Sequence, residues 1–255
     1  EWMPPLDHVA RAGDNAPRAM YLRYRLIADE LRQLGIDADC APMVDIAGFN
    51  THAFLRNRCY ADTVDKVIAC GRAVADGLLA GGVLPVVKHM PGHGRAILDS
   101  HVDLPRIDAP LAELLDTDFV PFRALNDLPM GMTGHLVYDR VDRRAATVSP
   151  TIMSIIRDRI GFNGLIMTDA ITMKALDGSL TEIAIAALAA GCDVVLLCNA
   201  NLADRIAVAE AAGKMTDAAG ARALAALRWR TDPDGFDIAA AEAELSVLMG
   251  GQVYG

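Results

Sequence analysis

The stretch Gly81-Gly82-Val83-Leu84-Pro85-Val86-Val87-Lys88-His89 decides the fold. Residues 83–87 are wholly apolar and few, which is how a strand of a parallel sheet reads when both its faces are covered. Before this run, Val64, Val67, Gly71, Val74 and Leu78 recur at helical spacing, and the glycine pair closes the helix. After it, the chain turns polar at Lys88 and His89. The same unit of helix, strand and polar strand end recurs outward in both directions.

Toward the N-terminus, Met20, Tyr24, Ile27, Leu31 and Leu34 mark a helix that Gly35 stops. Residues 36–46 then read as a buried strand closing in Ala41-Pro42-Met43-Val44-Asp45. Toward the C-terminus, Leu111, Leu114, Phe119, Phe122 and Leu125 predict one helix, and residues 129–137 a strand. Ser149-Pro150 supplies an N-cap and a first-turn proline for a helix carrying Ile152, Ile155 and Ile156. Residues 164–168 are the next strand, 180–190 a helix, 194–197 a strand and 202–212 a helix. The Ala-rich tail, 217–248, reads as helical.

Five strands, each followed by a helix, imply a parallel sheet. With no linker or repeat between them, residues 1–255 read as one domain. Two closures fit: an open doubly wound sheet, or a (β/α)8 barrel of the TIM type. The glycine fingerprint for dinucleotides is absent from every strand-to-helix turn, which removes one reason to choose the open sheet. Both architectures gather their sites where strands end, here at Asp45, Lys88-His89, His135 and Asp169.

A 53% hydrophobic chain of 255 residues supports a sizeable core. Its net charge of −9 argues against nucleic acid and against an anionic membrane surface as partners. No apolar stretch reaches the roughly 20 residues of a membrane span. The opening Glu1-Trp2-Met3-Pro4-Pro5 has neither an initiator methionine nor a signal-peptide pattern, and is read as the start of a fragment. The five cysteines are odd in number and contain no CxxC pair, so reduced thiols and a cytoplasmic setting are expected.

The chemistry concentrates in residues 88–105: Lys88-His89-Met90-Pro91-Gly92-His93-Gly94-Arg95-Ala96-Ile97-Leu98-Asp99-Ser100-His101-Val102-Asp103-Leu104-Pro105. A loop of this length is often functional. Asp99 and His101 stand two apart, so in extended backbone their side chains share a direction. Asp99 then fixes the imidazole's tautomer and raises its proton affinity, making a proton donor near neutral pH. The plainer alternative is a polar turn. A further alternative is a metal site built from His89, His93, Asp99 and His101, although Pro91-Gly92 breaks any helix that would align the first two.

Asp169 ends the run Gly164-Leu165-Ile166-Met167-Thr168. A carboxylate emerging from an apolar strand is either a helix cap or a nucleophile. His135 and Lys88 follow other strands, and Arg58, in Asn57-Arg58-Cys59-Tyr60, offers a guanidinium to hydroxyl or acyl oxygens.

Lys88-His89-x-Pro91-Gly92-His93-Gly94, then Asp99-Ser100-His101, then Leu104-Pro105, resembles the signature loop of the β-N-acetylhexosaminidases of glycoside hydrolase family 3. Gly161-Phe162-Asn163-Gly164 through Thr168-Asp169 resembles that family's nucleophile strand, and Arg58-Cys59-Tyr60, Ala41-Pro42-Met43-Val44-Asp45 and Gly191-Cys192-Asp193 match in order. The resemblance implies a (β/α)8 barrel and a retaining mechanism without a cofactor. It makes Asp169 the nucleophile and His101, paired with Asp99, the acid/base, in place of the usual second carboxylic acid. It places Arg58, Lys88 and His89 on the sugar's hydroxyls and N-acetyl group, with His135 and Met173 lining the pocket. The implied substrate is a terminal β-linked N-acetylglucosaminide, and the implied setting cytoplasmic peptidoglycan recycling. A phosphorylase would use the same residues. The family's first two strands and its Asp-Gln-Glu-Gly-Gly-Arg segment have no counterpart here, so an N-terminally incomplete barrel is expected. Ala170 stands where a second Asp is common, and Met90 where Phe is usual. Beside the hydrolase stand two other readings: a metal-dependent hydrolase, and a sugar-binding remnant without catalysis.

Overall fold

The computed structural model describes residues 1–98 and 103–255. Its strands, in chain order, are β1 (Ala38–Asp39), β2 (Leu84–Met90), β3 (Arg106–Ile107), β4 (Met130–Thr133), β5 (Val137–Tyr138), β6 (Leu165–Ala170) and β7 (Val194–Leu196). Five of them form a parallel sheet in the order β1-β2-β4-β6-β7. It is an arc of the barrel type. Leu84 lies beside Ala38, Val86 beside Met130, Met130 beside Leu165, and Met167 beside Val194.

The helices are α1 (Pro5–Ala12), α2 (Ala16–Gln33), α3 (Ala53–Arg56), α4 (Val64–Ala80), α5 (Leu111–Asp116), α6 (Val120–Ala124), α7 (Pro150–Ser154), α8 (Leu180–Ala190), α9 (Leu202–Ala212), α10 (Asp217–Leu227) and α11 (Ile238–Leu248). Helices α2 and α4 pack closely because Gly77 has no side chain: a Cβ there would lie 2.5 Å from the carbonyl oxygen of Tyr21. Ser149 and Ser179 accept backbone N–H groups at the starts of α7 and α8, the latter with Glu182 in a full capping box. None of the described helices is long and apolar enough to cross a membrane.

Strand periodicity sorts the sheet into two faces. Val83, Val87 and Ile166 join Val74 and Leu78 in the large core shared with the helices. The alternate residues, Leu84, Val86, Met130, Met132 and Leu165, with Met167, Val194 and Leu196, form a second apolar layer on the opposite, inner face, against which Ala223 and Ala226 pack. Continuing the same parity to the strand ends leads to Cys40, Lys88, Asp169 and Cys198. The fold thus raises its polar groups at the C-terminal rim of an apolar floor.

Four expectations change. The strand foreseen at 36–46 pairs regularly only at Ala38–Asp39, with one further bridge from Met43 to Lys88, because Pro42 brings no N–H to the ladder. The helix foreseen over 111–125 splits into α5 and α6. Pro121 cannot continue a helix, and Thr117 bonds its own turn through the Glu113 carbonyl. The strand foreseen at 129–137 ends at Thr133, and Val137–Tyr138 pairs instead with Arg106–Ile107. The tail breaks around Pro233 into α10 and α11, and α11 returns to α2 through Arg18–Glu244, with Arg25 bonded to Asp234 on the way.

Candidate active site

A cavity of about 230 Å³ opens at the C-terminal rim of the sheet. Cys40, Lys88, His89, Met132, Asp169, Ala170, Leu196 and Cys198 enter it from the strands or the residues just beyond them. Phe54 and Leu55 enter it from α3, and His52, Arg58, His93 and Leu98 from the loops. Its size lies below the roughly 300–1,000 Å³ of pockets for drug-sized ligands and suits a smaller one.

Asp169 stands on the wall of this cavity. Its Oδ1 accepts the N–H of Ala170 at 2.7 Å, and its Oδ2 lies 3.8 Å from Nε2 of His89. Burial pushes this carboxyl up, but His89, the Ala170 N–H, His135 and Lys88 outweigh burial and hold it below the usual carboxylate value. The result is an ionised oxygen facing open space, the condition a carboxylate nucleophile needs.

Lys88 and His89 are sequence neighbours, yet both face the cavity. The β2–β4 ladder shifts register between Val87 and Met90, which turns the strand end. Burial lowers the Lys88 ammonium from its ordinary value, against the opposing pull of Cys40, Asp169 and Asp39. His89 gives its Nδ1 to Asp45 at 2.7 Å. His93 is buried beside it, ring centroids 5.7 Å apart, and burial together with the neighbouring His89 lowers it to about 4. The Arg58 guanidinium lies 5.3 Å from the centre of the Phe54 ring, which keeps it at the cavity mouth.

The two loops at the mouth are tied together. His52 N–H bonds the Ala96 carbonyl, and the Thr51 hydroxyl bonds the Gly94 carbonyl. Gly94 is required there, since a Cβ would sit 2.1 Å from the Ile46 carbonyl oxygen. Arg95 anchors the far side, donating to Asp118, Glu113 and Thr117.

Of the residues named from sequence, Asp169, Lys88, His89 and Arg58 line one cavity. His135 stands behind it: Nδ1 pairs with Thr147 at 2.7 Å, and Nε2 with the Ala170 carbonyl at 3.1 Å, so it buttresses the end of β6. Met173 is buried in the turn after β6, its N–H on the Ala170 carbonyl, and is not among the lining residues. Asp99 and His101 lie outside the described residues. Among the described residues no three His, Cys, Asp or Glu side chains form a group able to hold a metal ion. Cys40, Cys198 and Met132 are not singled out from sequence, although counting by twos along their own strands, from Ala38, Met130 and Val194, is the rule that finds them.

The family model for the glycosyl hydrolase family 3 N terminal domain matches residues 7–225. The chain is 37% identical over 242 residues to a beta-hexosaminidase of Methylococcus capsulatus, covering 91% of this chain and 72% of that protein. It is 35% identical over 213 residues to a beta-hexosaminidase of Bordetella pertussis, covering 80% of this chain and 60% of that one. NagZ from Neisseria gonorrhoeae, solved in complex with N-trifluoroacetyl-D-glucosamine, superposes with a TM-score of 0.81 at 29% identity, over 97% of this chain and 76% of that chain. A family 3 beta-N-acetylglucosaminidase from Paenibacillus superposes with a TM-score of 0.85 at 26% identity, over 97% of this chain and 52% of that one. The chain belongs to glycoside hydrolase family 3, with its barrel-type N-terminal domain.

Proposed function

We propose that this chain carries the catalytic centre of a retaining β-N-acetylhexosaminidase, with Asp169 as its nucleophile. The observation that carries the reading is the Asp169 carboxylate, held ionised on the wall of a small cavity between His89 and the Ala170 N–H. The names of the beta-hexosaminidase relatives, and the N-trifluoroacetyl-D-glucosamine bound by the Neisseria NagZ, support a saccharide carrying an N-acyl group.

In the first step an Asp169 oxygen bonds to the anomeric carbon while the bond to the leaving oxygen breaks. His101, paired with Asp99, gives that oxygen its proton. In the second step water attacks the same carbon, its proton passes to His101, and the ester to Asp169 breaks to restore the carboxylate. Arg58, Lys88 and His89 hold the sugar against the wall, with His135 and Met173 supporting the strand end behind it. The site needs no cofactor in this scheme. A role in cytoplasmic peptidoglycan recycling, releasing N-acetylglucosamine from a muramyl aglycone, belongs to the same proposal. The five unpaired cysteines support a reducing setting.

The test is to trap the intermediate with a fluorinated N-acetylglucosaminide and locate the adduct by peptide mass spectrometry. Label on Asp169 is expected. Label on another residue, with Asp169 unmodified, rejects the assignment.

A further inference from the structure

Asp45 was legible only as a polar residue at a strand end, without a task. Its side chain is fully enclosed, and both of its oxygens are used. Oδ2 accepts the backbone N–H of His89 at 3.2 Å and faces the ring Nδ1 at 2.7 Å. Oδ1 accepts the backbone N–H of His93 at 2.6 Å. One carboxylate therefore ties the end of β2 to the head of the glycine loop.

Burial alone would raise the Asp45 carboxyl, but the two histidines and the His93 N–H outweigh it and hold it below the ordinary value. An ionised carboxylate only accepts, so the proton between it and His89 sits on Nδ1. That leaves Nε2 as the ring nitrogen presented to the cavity, 3.8 Å from Asp169. This gap is too long for a direct hydrogen bond and leaves both groups available to a bound sugar.

We propose that Asp45 is a positioning residue of the site, which selects the Nδ1–H tautomer of His89 and aims its Nε2 at Asp169 and at the substrate. The proposal rests on the hydrolase reading for its effect on turnover, though not for its effect on the ring. The groups around His89 are Asp45 beyond β1, Lys88 beside it on β2, His93 from the glycine loop and Asp169 from β6, while His135 braces the Ala170 carbonyl. An amide cannot replace Asp45. Asn offers one acceptor atom and turns an NH2 toward N–H groups, so donor meets donor in a buried place.

Two measurements on the whole chain test this. Nitrogen-15 NMR of the unmodified protein is expected to show His89 carrying hydrogen on Nδ1, with the other tautomer appearing in Asp45→Asn. A neutral ring with hydrogen only on Nε2 in the unmodified protein overturns the proposal, whether or not any variant folds. In kinetics with an aryl N-acetylglucosaminide, Asp45→Asn is expected to lower kcat/KM on the order of 10–100-fold, as loss of an orienting partner does. It should also shift the acid limb of the profile, because the other tautomer turns an N–H toward Asp169. In a His89→Gln background the same change is expected to lose less than about 3-fold, because the two residues act as one unit. Equal losses in both backgrounds, with an unmoved acid limb, mark Asp45 as merely structural. Absence of turnover in the unmodified chain defeats the hydrolase reading and leaves the NMR result to decide the role of Asp45.

Discussion

Nε2 of His89 stands 3.8 Å from Oδ2 of Asp169, across the wall of the cavity. This separation shapes how the site responds to acid. Asp169 must be ionised to attack, and its surroundings hold its carboxyl below the ordinary value despite burial. The acid limb of kcat/KM should therefore lie below about pH 4, where an unperturbed aspartate titrates. Replacing His89 by Gln removes the neighbour that most favours the ionised form of Asp169, so the limb should move to higher pH. Asp169→Asn should cost on the order of 10⁴-fold or more in kcat. Rates measured across pH with an aryl N-acetylglucosaminide check both statements, and a limb that ignores His89→Gln contradicts the first.

Arg157 and Arg222 converge on Asp193, whose side chain is almost completely enclosed. Asp193 also accepts the N–H of Ile166, so one carboxylate joins β6, the π-helical turn Ile155–Ile160 and α10. Removing the acid leaves two cations facing each other. Asp193→Ala should destabilise the chain by about 3–5 kcal/mol, the scale of a broken buried pair. Arg222→Ala, at the more exposed end, should cost about 1 kcal/mol, since Arg157 still compensates the carboxylate. Urea denaturation of the two variants gives the comparison, and equal losses would refute the ranking.

Much of this arrangement is legible in the amino-acid sequence. Residues 83–87 announced a parallel strand, and Lys88 and Asp169 sit at strand ends on the inner face because alternation along a strand is a local property. Alternation alone would have hidden His89, which reaches the cavity through the register shift after Val87. The Asp45–His89 pairing spans 44 residues, and no local pattern reports such a contact. The strands β3 and β5 have two residues each, too few to show a period. Pro121 and Pro233 were readable breaks that the apolar stripes on either side concealed.

Arg95 begins the segment that leads toward Asp99 and His101. Its guanidinium bonds Asp118 at 2.7 Å, Glu113 at 2.5 Å and Thr117 at 3.1 Å. The pair with Glu113 is half exposed and adds little stability, but Asp118 is almost enclosed and keeps the Thr117 hydroxyl as its donor, so Arg95→Ala should cost about 1–3 kcal/mol. Turnover should fall as well. If the following residues carry the acid/base, loosening their anchor should lower kcat roughly 10-fold, since small misplacements are expensive in catalysis. Inhibition by N-acetylglucosamine, which reports the sugar-binding wall, should change less than about 3-fold by the same positional argument. A parallel loss of kcat and sugar affinity would show that the clamp shapes the wall instead.

His8 is completely buried on α1, beside the backbone of Ala19. Burial first, and then the neighbouring Arg23, lower it to about 4. In the unfolded chain it titrates near 6.5. Between these values the unfolded state binds the proton and the folded state does not, so stability falls as pH drops from 6.5 toward 4. His93, also lowered to about 4, adds to the same slope. Each residue contributes at most about 1.4 kcal/mol per pH unit within this window. His8→Leu removes one of the two and fills the same buried place with an apolar side chain. It should leave stability at pH 8 nearly unchanged and make the decline between pH 6.5 and 4 shallower. Chemical denaturation at pH 8, 6 and 5 gives the slope directly, and an unchanged slope in His8→Leu would mean that the His8 ring is already charged in the folded chain.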